Sequence, residues 1–202
     1  PGKGLQPGYR NQLLGRKTRR RMASGDFFFP SYLEEEAYTP KAFSFSRPWG
    51  IPVRYHDFAE LTSRVKPDFV EFHLSYKDLE LEPSAWIGDG AGMGLVVHAP
   101  ELFAGDHVLD LAAESTGYAL ESLVNLNRVV SVTQSLKRHF PATERPMIIT
   151  NMGGFTEDQP LDDSEKSLLY QRMAARLREL ETDGIELLPQ TMPPFPWHFG
   201  GQ

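Results

Sequence analysis

The chain has 202 residues, of which 40% are hydrophobic and 24% are charged, a composition typical of a globular protein with a buried core. No run approaches the roughly 18 apolar residues of a transmembrane helix, and the absence of cysteine excludes disulfides, thiolate metal sites and cysteine nucleophiles. The first residues lack the pattern of a secretory signal peptide. We therefore expect a cytoplasmic protein without a membrane partner.

Charge is unevenly distributed along the sequence. Seven basic residues and no acidic residue precede Asp26, whereas the rest of the chain carries 14 basic and 27 acidic residues. A basic arm on an acidic body can bind nucleic acid, but aromatic residues are not interleaved with this cluster, as base stacking would require. The net charge of −6 also opposes DNA binding, so a nucleic-acid partner is the weaker interpretation.

Residues 1–36 are predicted to form short strands joined by turns. Residues 16–22 and the aromatic run 27–29 are the strand candidates, and Ala23-Ser24-Gly25-Asp26 is the turn between them. A segment of this length buries too little apolar surface to be stable alone. Residues 37–50 contain two prolines and are expected to be a linker.

From residue 51 onward, short apolar strands alternate with helices. Strands are predicted at residues 51–56, 68–74, 93–98, 147–151 and 185–190, and helices at residues 57–65, 116–139 and 165–181. The last helix has an N-cap and early negative charge in Asp162, Asp163 and Ser164. Alternating strands and helices predict an α/β fold of parallel βα units with right-handed crossovers. Periodicity alone fits both a doubly wound sheet and a barrel.

A polar residue closes each of the five predicted strands. Because the carboxyl ends of parallel strands meet at one edge, where such folds bind ligands, we expect these residues to form one hydrogen-bonding rim. The predicted rim consists of His56, His73, His98, Asn151 and Gln190. Arg54 and Glu71 would extend it inward as an ion pair, because each precedes a rim histidine by two residues on the same strand face. The alternative is that strand ends are polar simply because they meet water.

Three short motifs near the start carry a first resemblance: PGKGL at residues 1–5, LGRK at residues 14–17 and SGD at residues 24–26. They resemble the second half of the antifreeze-like (SAF) domain at the C-terminus of sialic acid (N-acetylneuraminate) synthases. Those enzymes condense phosphoenolpyruvate with N-acetylmannosamine or a related sugar. The resemblance implies that residues 1–36 are a partial SAF-type β module, without the synthase barrel that binds phosphoenolpyruvate and metal.

A second resemblance covers about 150 residues from Trp49 onward. The strand VVHAPEL at residues 96–102 is similar to the strand ending in His-Ala-Pro of the xylose-isomerase-like TIM barrel superfamily, which includes sugar phosphate isomerases/epimerases and endonuclease IV. Residues 147–154 and 188–193 fall where relatives carry a His-Pro-Gly strand end and a metal-binding Glu. The resemblance implies that residues 51–202 form the first five or so βα units of a parallel (β/α) TIM-type barrel.

Asn151 and Gln190 stand where that superfamily has a His and a Glu. Amides are poor ligands for Zn²⁺ or Mn²⁺, so we assign no metal ligand; the cofactor stays undetermined, with a divalent metal in a full barrel as the alternative. Amides do suit a hydroxyl-rich sugar or sugar phosphate, because they offer donors and acceptors together. Catalytic acid–base roles are assigned to His98, His73 and Glu71, and substrate binding to Arg54, His56, Asn151 and Gln190.

Together the two resemblances imply a piece of a bifunctional protein of sialic (nonulosonic) acid biosynthesis. One part would be N-acetylneuraminate synthase-like, and the other a sugar phosphate isomerase/epimerase-like barrel that transfers a proton beside a sugar carbonyl. The piece alone would be inactive. The alternatives are a non-catalytic carbohydrate-binding or interaction barrel and, less favoured, a DNA-binding endonuclease IV-like protein. Half a barrel leaves edge strands unpaired, which would favour a homo-oligomer.

Overall fold

A computed structural model describes residues 4–33, 43–88, 90, 92–155 and 161–190. The chain divides into two compact units, Pro1–Pro40 and Lys41–Gln202. Among the described residues, no helix combines the length and the apolar character needed to cross a membrane.

The described part of the first unit has little regular structure. A 3₁₀ turn leads into the short helix α1 (Arg10–Leu13), and within residues 4–33 the ladder pairing is limited to one antiparallel bridge between Thr18 and Leu33. The turn at residues 23–26 forms, but the two strands predicted around it do not, so the expected β module is not seen there. None of the residues in this part whose burial the structure describes is buried, and a hairpin without an apolar face to pack is unstable in water.

The second unit is an α/β fold built on five parallel strands. In chain order its elements are β1 (Gly50–Val53), α2 (Phe58–Arg64), β2 (Phe69–His73), β3 (Gly94–His98), β4 (Leu102–Phe103), β5 (His107–Val108), α3 (Thr116–Lys137), β6 (Met147–Thr150), α4 (Asp163–Leu177) and β7 (Glu186–Pro189). The parallel sheet has the order β1-β2-β3-β6-β7, and β4 and β5 form a separate antiparallel pair. The predicted α/β class with parallel strands is confirmed.

The helices pack against one face of the sheet. Alternate strand residues, among them Val70, Phe72, Val97 and Ile148, are fully buried and share one hydrophobic cluster with side chains of α2, α3 and α4. The strand order follows the chain order, so the five strands that the structure describes contain no switch point of the kind at which a doubly wound sheet reverses. The sheet is open rather than closed, so the predicted barrel is not confirmed.

Both edges of the five-stranded sheet contain a proline. Pro52 lies in β1 and Pro189 lies in β7, and each of these strands pairs with a single neighbour among the strands that the structure describes. Proline lacks a backbone N–H, which makes an edge strand a poorer template for another chain. The edges are therefore blunted, which opposes the self-association expected from unpaired strands.

Asp162 begins α4 with a reciprocal capping box. Its Oδ1 accepts hydrogen bonds from the backbone N–H groups of Ser164 and Glu165, and the Glu165 side chain accepts from the Asp162 N–H. The bond from the Glu165 backbone, with that from the Ser164 hydroxyl, lowers the pKa of Asp162 below its ordinary value of 3.8. The ionised carboxylate therefore stabilises the folded helix.

Replacing Asp162 with alanine is expected to lower the melting temperature near neutral pH, because two backbone donors lose their acceptor. A carboxyl group whose pKa is lowered by folding contributes its stability above pH 3.8, and that contribution is lost as the pH falls through the lowered value. Thermal melts across this range should show the wild-type advantage shrinking in acid. The matched control is Asp163→Ala, whose side chain is fully exposed, and an equal effect there would contradict the capping role.

Candidate functional site

Four of the residues singled out in the sequence form one continuous row at the carboxyl ends of the strands. We call Glu71, His73, His98 and Gln190 the polar row. Glu71 Oε1 lies 2.7 Å from His73 Nε2. The rings of His73 and His98 are stacked, with centroids 4.7 Å apart and planes 17° apart. His98 Nε2 lies 2.9 Å from Gln190 Oε1. The row thus links β2, β3 and the residue that follows β7.

Strand register brings the two histidines together. His73 is the direct partner of His98 in the parallel pairing of β2 with β3, so their side chains leave the sheet on the same face. That face is opposite to the one buried under the helices, because the preceding residues Phe72 and Val97 point into the core. Gln190 reaches His98 from two strands away, and its backbone N–H donates to the Thr150 carbonyl, which holds it beside the end of β6.

His98 has both ring nitrogens engaged. Its Nδ1 lies 3.0 Å from the Ala99 carbonyl oxygen, which can only accept, so this nitrogen carries a hydrogen. If the ring is neutral, Nε2 accepts a hydrogen bond, and the Gln190 amide presents its NH₂ group to it. If the ring is protonated, Nε2 donates a hydrogen bond to Gln190 Oε1. Either way, the contacts suit His98 to orientation more than to proton exchange.

His73 has one nitrogen available. Its Nε2 lies 2.7 Å from Glu71 Oε1, an ion-pair distance, and a carboxylate at that position favours the neutral-ring tautomer that carries its hydrogen on Nε2. Nδ1 then carries the lone pair, and no residue in the part of the chain that the structure describes contacts it by a hydrogen bond. An imidazole whose tautomer is set by a carboxylate is the usual arrangement of a general base. Of the three predicted catalytic residues, His73 therefore fits that role best, with Glu71 orienting it.

Arg54 and His56 follow β1 but do not join the polar row. Arg54 Nη1 lies 3.7 Å from Asp78 Oδ2, so its ion pair forms with that carboxylate, and the predicted pair with Glu71 is wrong. His56 is 71% exposed and lies 3.9 Å from the Asp57 carboxylate. Arg54 does share a shallow pocket of about 230 Å³ with His73, which extends the row toward β1.

Asn151 is turned inward. It is 2% exposed, and its Oδ1 accepts a hydrogen bond of 2.9 Å from the Gly153 N–H. This bond closes the turn that follows β6, in the way asparagine side chains commonly organise turns. The structure thus places Asn151 behind the predicted rim instead of on it.

Asp110 was not predicted as a site residue. Its Oδ1 accepts 2.9 Å hydrogen bonds from the N–H groups of Ala112 and Gly154, joining the loop after β5 to the turn after β6. Gly153 packs so closely on Asp110 that there is no room for a Cβ atom. The sequence feature that could have indicated this contact is the glycine pair 153–154. Both glycines adopt the left-handed conformation, which glycine tolerates best.

A buried network holds the Asp110 loop on α3. The Asp110 N–H donates to Ser122 Oγ at 3.0 Å, and the same oxygen lies 2.8 Å from His107 Nε2. Glu121 Oε2 lies 3.5 Å from His107 Nδ1, so the three side chains have the order of a nucleophilic triad. However, Ser122 is 0% exposed, so no substrate can reach its hydroxyl. The network is structural, and it fixes where Asp110 lies.

Tyr55 lies beside Arg54 with its hydroxyl in the interior. Its ring packs edge-on against Phe72, and the hydroxyl makes no hydrogen bond within the part of the chain that the structure describes. Burial raises the pKa of Tyr55, and the negative charges of Asp78 and Glu82 raise it further. Tyr55 is therefore a neutral hydroxyl throughout the ordinary pH range.

A second cavity, of about 570 Å³, lies at the opposite end of the sheet. Residues of α2 and of the turns that precede β2 and β3 line it. In parallel α/β folds the ligand binds at the carboxyl ends of the strands, and the opposite end contributes to stability. The polar row, not this cavity, is therefore the candidate site. Among the described residues, no group of three His, Asp or Glu side chains could hold a metal ion.

Comparison of the chain with protein-family models, with curated proteins and with solved structures finds no match. The two resemblances drawn from the sequence therefore stay predictions, and the function has to be argued from the geometry of the polar row.

Proposed function

We propose that the polar row binds a hydroxyl-rich ligand of the sugar class and that His73 moves a proton at the carbon beside the ligand's carbonyl group. One observation carries the proposal: Glu71 Oε1 lies 2.7 Å from His73 Nε2, while the other ring nitrogen, Nδ1, has no hydrogen-bond partner among the described residues. General acid–base catalysis by one positioned group contributes about 10²–10⁴-fold to a rate.

The chemistry follows from the contacts of the row. His73 Nδ1 takes a proton from the carbon next to the carbonyl, and the electron pair of the broken C–H bond moves onto the carbonyl oxygen. Returning the proton to the former carbonyl carbon, while the hydroxyl proton of the adjacent carbon moves to the carbonyl oxygen, isomerises a hydroxy sugar. Delivery of a proton from water to the opposite face of the carbon, while His73 releases its own proton to water, gives epimerisation. The Glu71 carboxylate stabilises the imidazolium that forms in between. Gln190 supplies amide hydrogen bonds to ligand hydroxyl groups, and its contact with His98 orients it.

The winding of the sheet supports a wider proposal. Parallel strands in chain order, with helices on one face and polar strand ends on the other, are what the first five βα units of a TIM-type barrel of the xylose-isomerase-like kind would have. In that arrangement the polar row faces the barrel interior. Three further proposals are supported only by the sequence patterns. They are that the first unit is synthase-like, that the protein acts in sialic acid biosynthesis, and that it is a cytoplasmic homo-oligomer.

A non-catalytic carbohydrate-binding barrel is the second candidate. It is favoured by the hydrogen bond between His98 and Gln190, because this bond already occupies a polar group of each side chain that a catalytic residue would offer to the substrate. Both candidates bind a sugar at the row. They differ in whether His73 exchanges a proton with it.

The resemblance implies an inactive piece, but the polar row lies entirely within this chain, so we expect the chain itself to catalyse proton exchange. Substituting His73 with glutamine is expected to slow the exchange of deuterium from D₂O into the carbon beside the carbonyl of N-acetylmannosamine by roughly 10²–10³-fold. Glu71→Gln should slow it by roughly tenfold or more, since the tautomer is no longer fixed. ¹⁵N shifts of the His73 ring give a readout that a loss of folding would not mimic: one tautomer in the wild type and a mixture in Glu71→Gln.

The matched control is His56→Gln, because His56 is a solvent-exposed histidine at the same edge of the sheet but outside the row. Exchange at the wild-type rate in a folded His73→Gln protein would refute the catalytic proposal. Binding of the sugar without any exchange in the wild type would favour the carbohydrate-binding barrel.

A further inference from the structure

We infer that the polar row takes an uncharged sugar and excludes the phosphate ester of that sugar, and that Asp110 contributes to this selection. The inference rests on the proposed function, because it names the substrate class of the same site. Three observations support it. The segments that follow the strands are acidic, their few cations contact other side chains, and the backbone N–H groups in the turn after β6 already donate hydrogen bonds within the protein.

The segments that follow the carboxyl ends of the strands are strongly acidic. Residues 54–57, 74–82 and 99–115, which follow β1, β2 and β3, contain eight acidic residues and two basic ones. Residues 151–162 and 190–202, which follow β6 and β7, contain no lysine or arginine at all. A phosphate dianion approaching this end of the sheet therefore meets repulsion from carboxylates instead of attraction.

Both cations of these segments already have partners. The Arg54 guanidinium pairs with the Asp78 carboxylate, which also accepts hydrogen bonds from the Ser75 N–H and hydroxyl. The Lys77 ammonium lies 6.0 Å from the centre of the Tyr76 ring. Recognition of a phosphate usually depends on arginine or lysine side chains that are aimed at it. Arg54 shares the shallow pocket with His73, but the Asp78 carboxylate offsets its charge there, and Lys77 forms no ion pair with a residue of the polar row.

The backbone donors that could replace such cations are also taken. Gly153 and Gly154 lie in the turn that follows β6, and turns can present successive backbone N–H groups to an anion. Here the Gly153 N–H donates to Asn151 Oδ1, and the Gly154 N–H donates to Asp110 Oδ1. The Asp110 carboxylate thus occupies the position where a bound phosphate oxygen would accept. An external anion finds a negative charge there, whereas the hydroxyl groups of a neutral sugar meet no such repulsion.

The first test compares N-acetylmannosamine with N-acetylmannosamine 6-phosphate by NMR titration of the full chain. We expect the wild type to bind the neutral sugar at least about tenfold more tightly. Asp110→Asn, which keeps an accepting oxygen but removes the charge, should narrow this preference by roughly threefold or more. Asp106→Asn removes the same charge from an exposed position between β4 and β5 and should leave the preference unchanged. Equal or tighter binding of the phosphate ester by the wild type overturns the inference.

The second test does not depend on sugar binding. Inorganic phosphate, compared with chloride at equal ionic strength, is expected to raise the melting temperature of Asp110→Ala, where the Ala112 and Gly154 N–H groups are vacated, but not that of the wild type. Specific stabilisation of the wild type by phosphate contradicts the inference even if neither sugar binds. If neither sugar binds the wild type, that result refutes the proposed function and not the exclusion of phosphate. Should Asp110→Ala not fold, the wild type alone decides, because specific stabilisation by phosphate contradicts the inference and its absence supports it.

Discussion

Phe72→Ala is expected to lower the free energy of unfolding of the second unit by about 3–5 kcal/mol. Phe72 is 0% exposed, stacks on Phe58 at 5.6 Å and meets the rings of Tyr55 and Phe140 edge-on. Its removal therefore opens a cavity where β2 meets α2 and the turn that follows α3. Because a domain is typically stable by only about 5–15 kcal/mol, this one change removes a large part of the total.

Urea unfolding followed by far-UV circular dichroism measures this loss. The matched control is Phe45→Ala, since Phe45 is 62% exposed and touches only the rings of Phe43 and Trp49 among its aromatic neighbours in the described residues. We expect that change to cost less than about 1 kcal/mol. If the two variants unfolded at the same urea concentration, the helix-covered face of the sheet would not be the core of the unit.

Gly153→Ala is expected to cost about 2–5 kcal/mol of stability, for two separate reasons. Gly153 has a φ of +85°, in the left-handed region where a side chain is strained by about 1–2 kcal/mol. A Cβ atom there would also collide with the carboxylate and Cα of Asp110, and such overpacking costs about 1–3 kcal/mol. The same change should loosen the joint between the loop after β5 and the turn after β6.

Gly154→Ala separates the two reasons. Gly154 has a similar φ of +81°, but the nearest atom to its Cβ would be the Met173 Cε at 3.9 Å, which is an ordinary contact. Only the conformational cost should apply there. Chemical denaturation of both variants would therefore give a larger loss for Gly153→Ala. Equal losses would mean that Asp110 does not pack against Gly153 as the structure has it.

Much of the second unit was predictable because its signals are local. The strands after residue 51 are short apolar runs, and the helix α4 begins at an acidic capping residue, Asp162, as predicted. The parallel arrangement follows from the alternation of strands and helices. Local patterns failed in residues 16–29, where β-like sequence forms no strands and where the structure shows no buried residue.

The site was predicted in outline but not in its contacts. That His73 and His98 lie at one edge follows from parallel strands alone, whereas their stacking depends on the register of β2 with β3. Arg54 was expected to pair with Glu71, yet it pairs with Asp78, because the turn at Ser75 brings that carboxylate beside it. Such choices depend on loop geometry, which no periodicity encodes.

By itself the sequence determined the α/β class and the placement of polar residues at strand ends, since both depend on neighbours one to four residues apart. Only the tertiary structure decided the order of the strands in the sheet, the burial of the Asn151 side chain and the role of Asp110. Asp110 and Gly154 are separated by 44 residues along the chain. Their hydrogen bond exists only after α3 and β6 have packed, and contacts over such distances are set by the collective burial of the core.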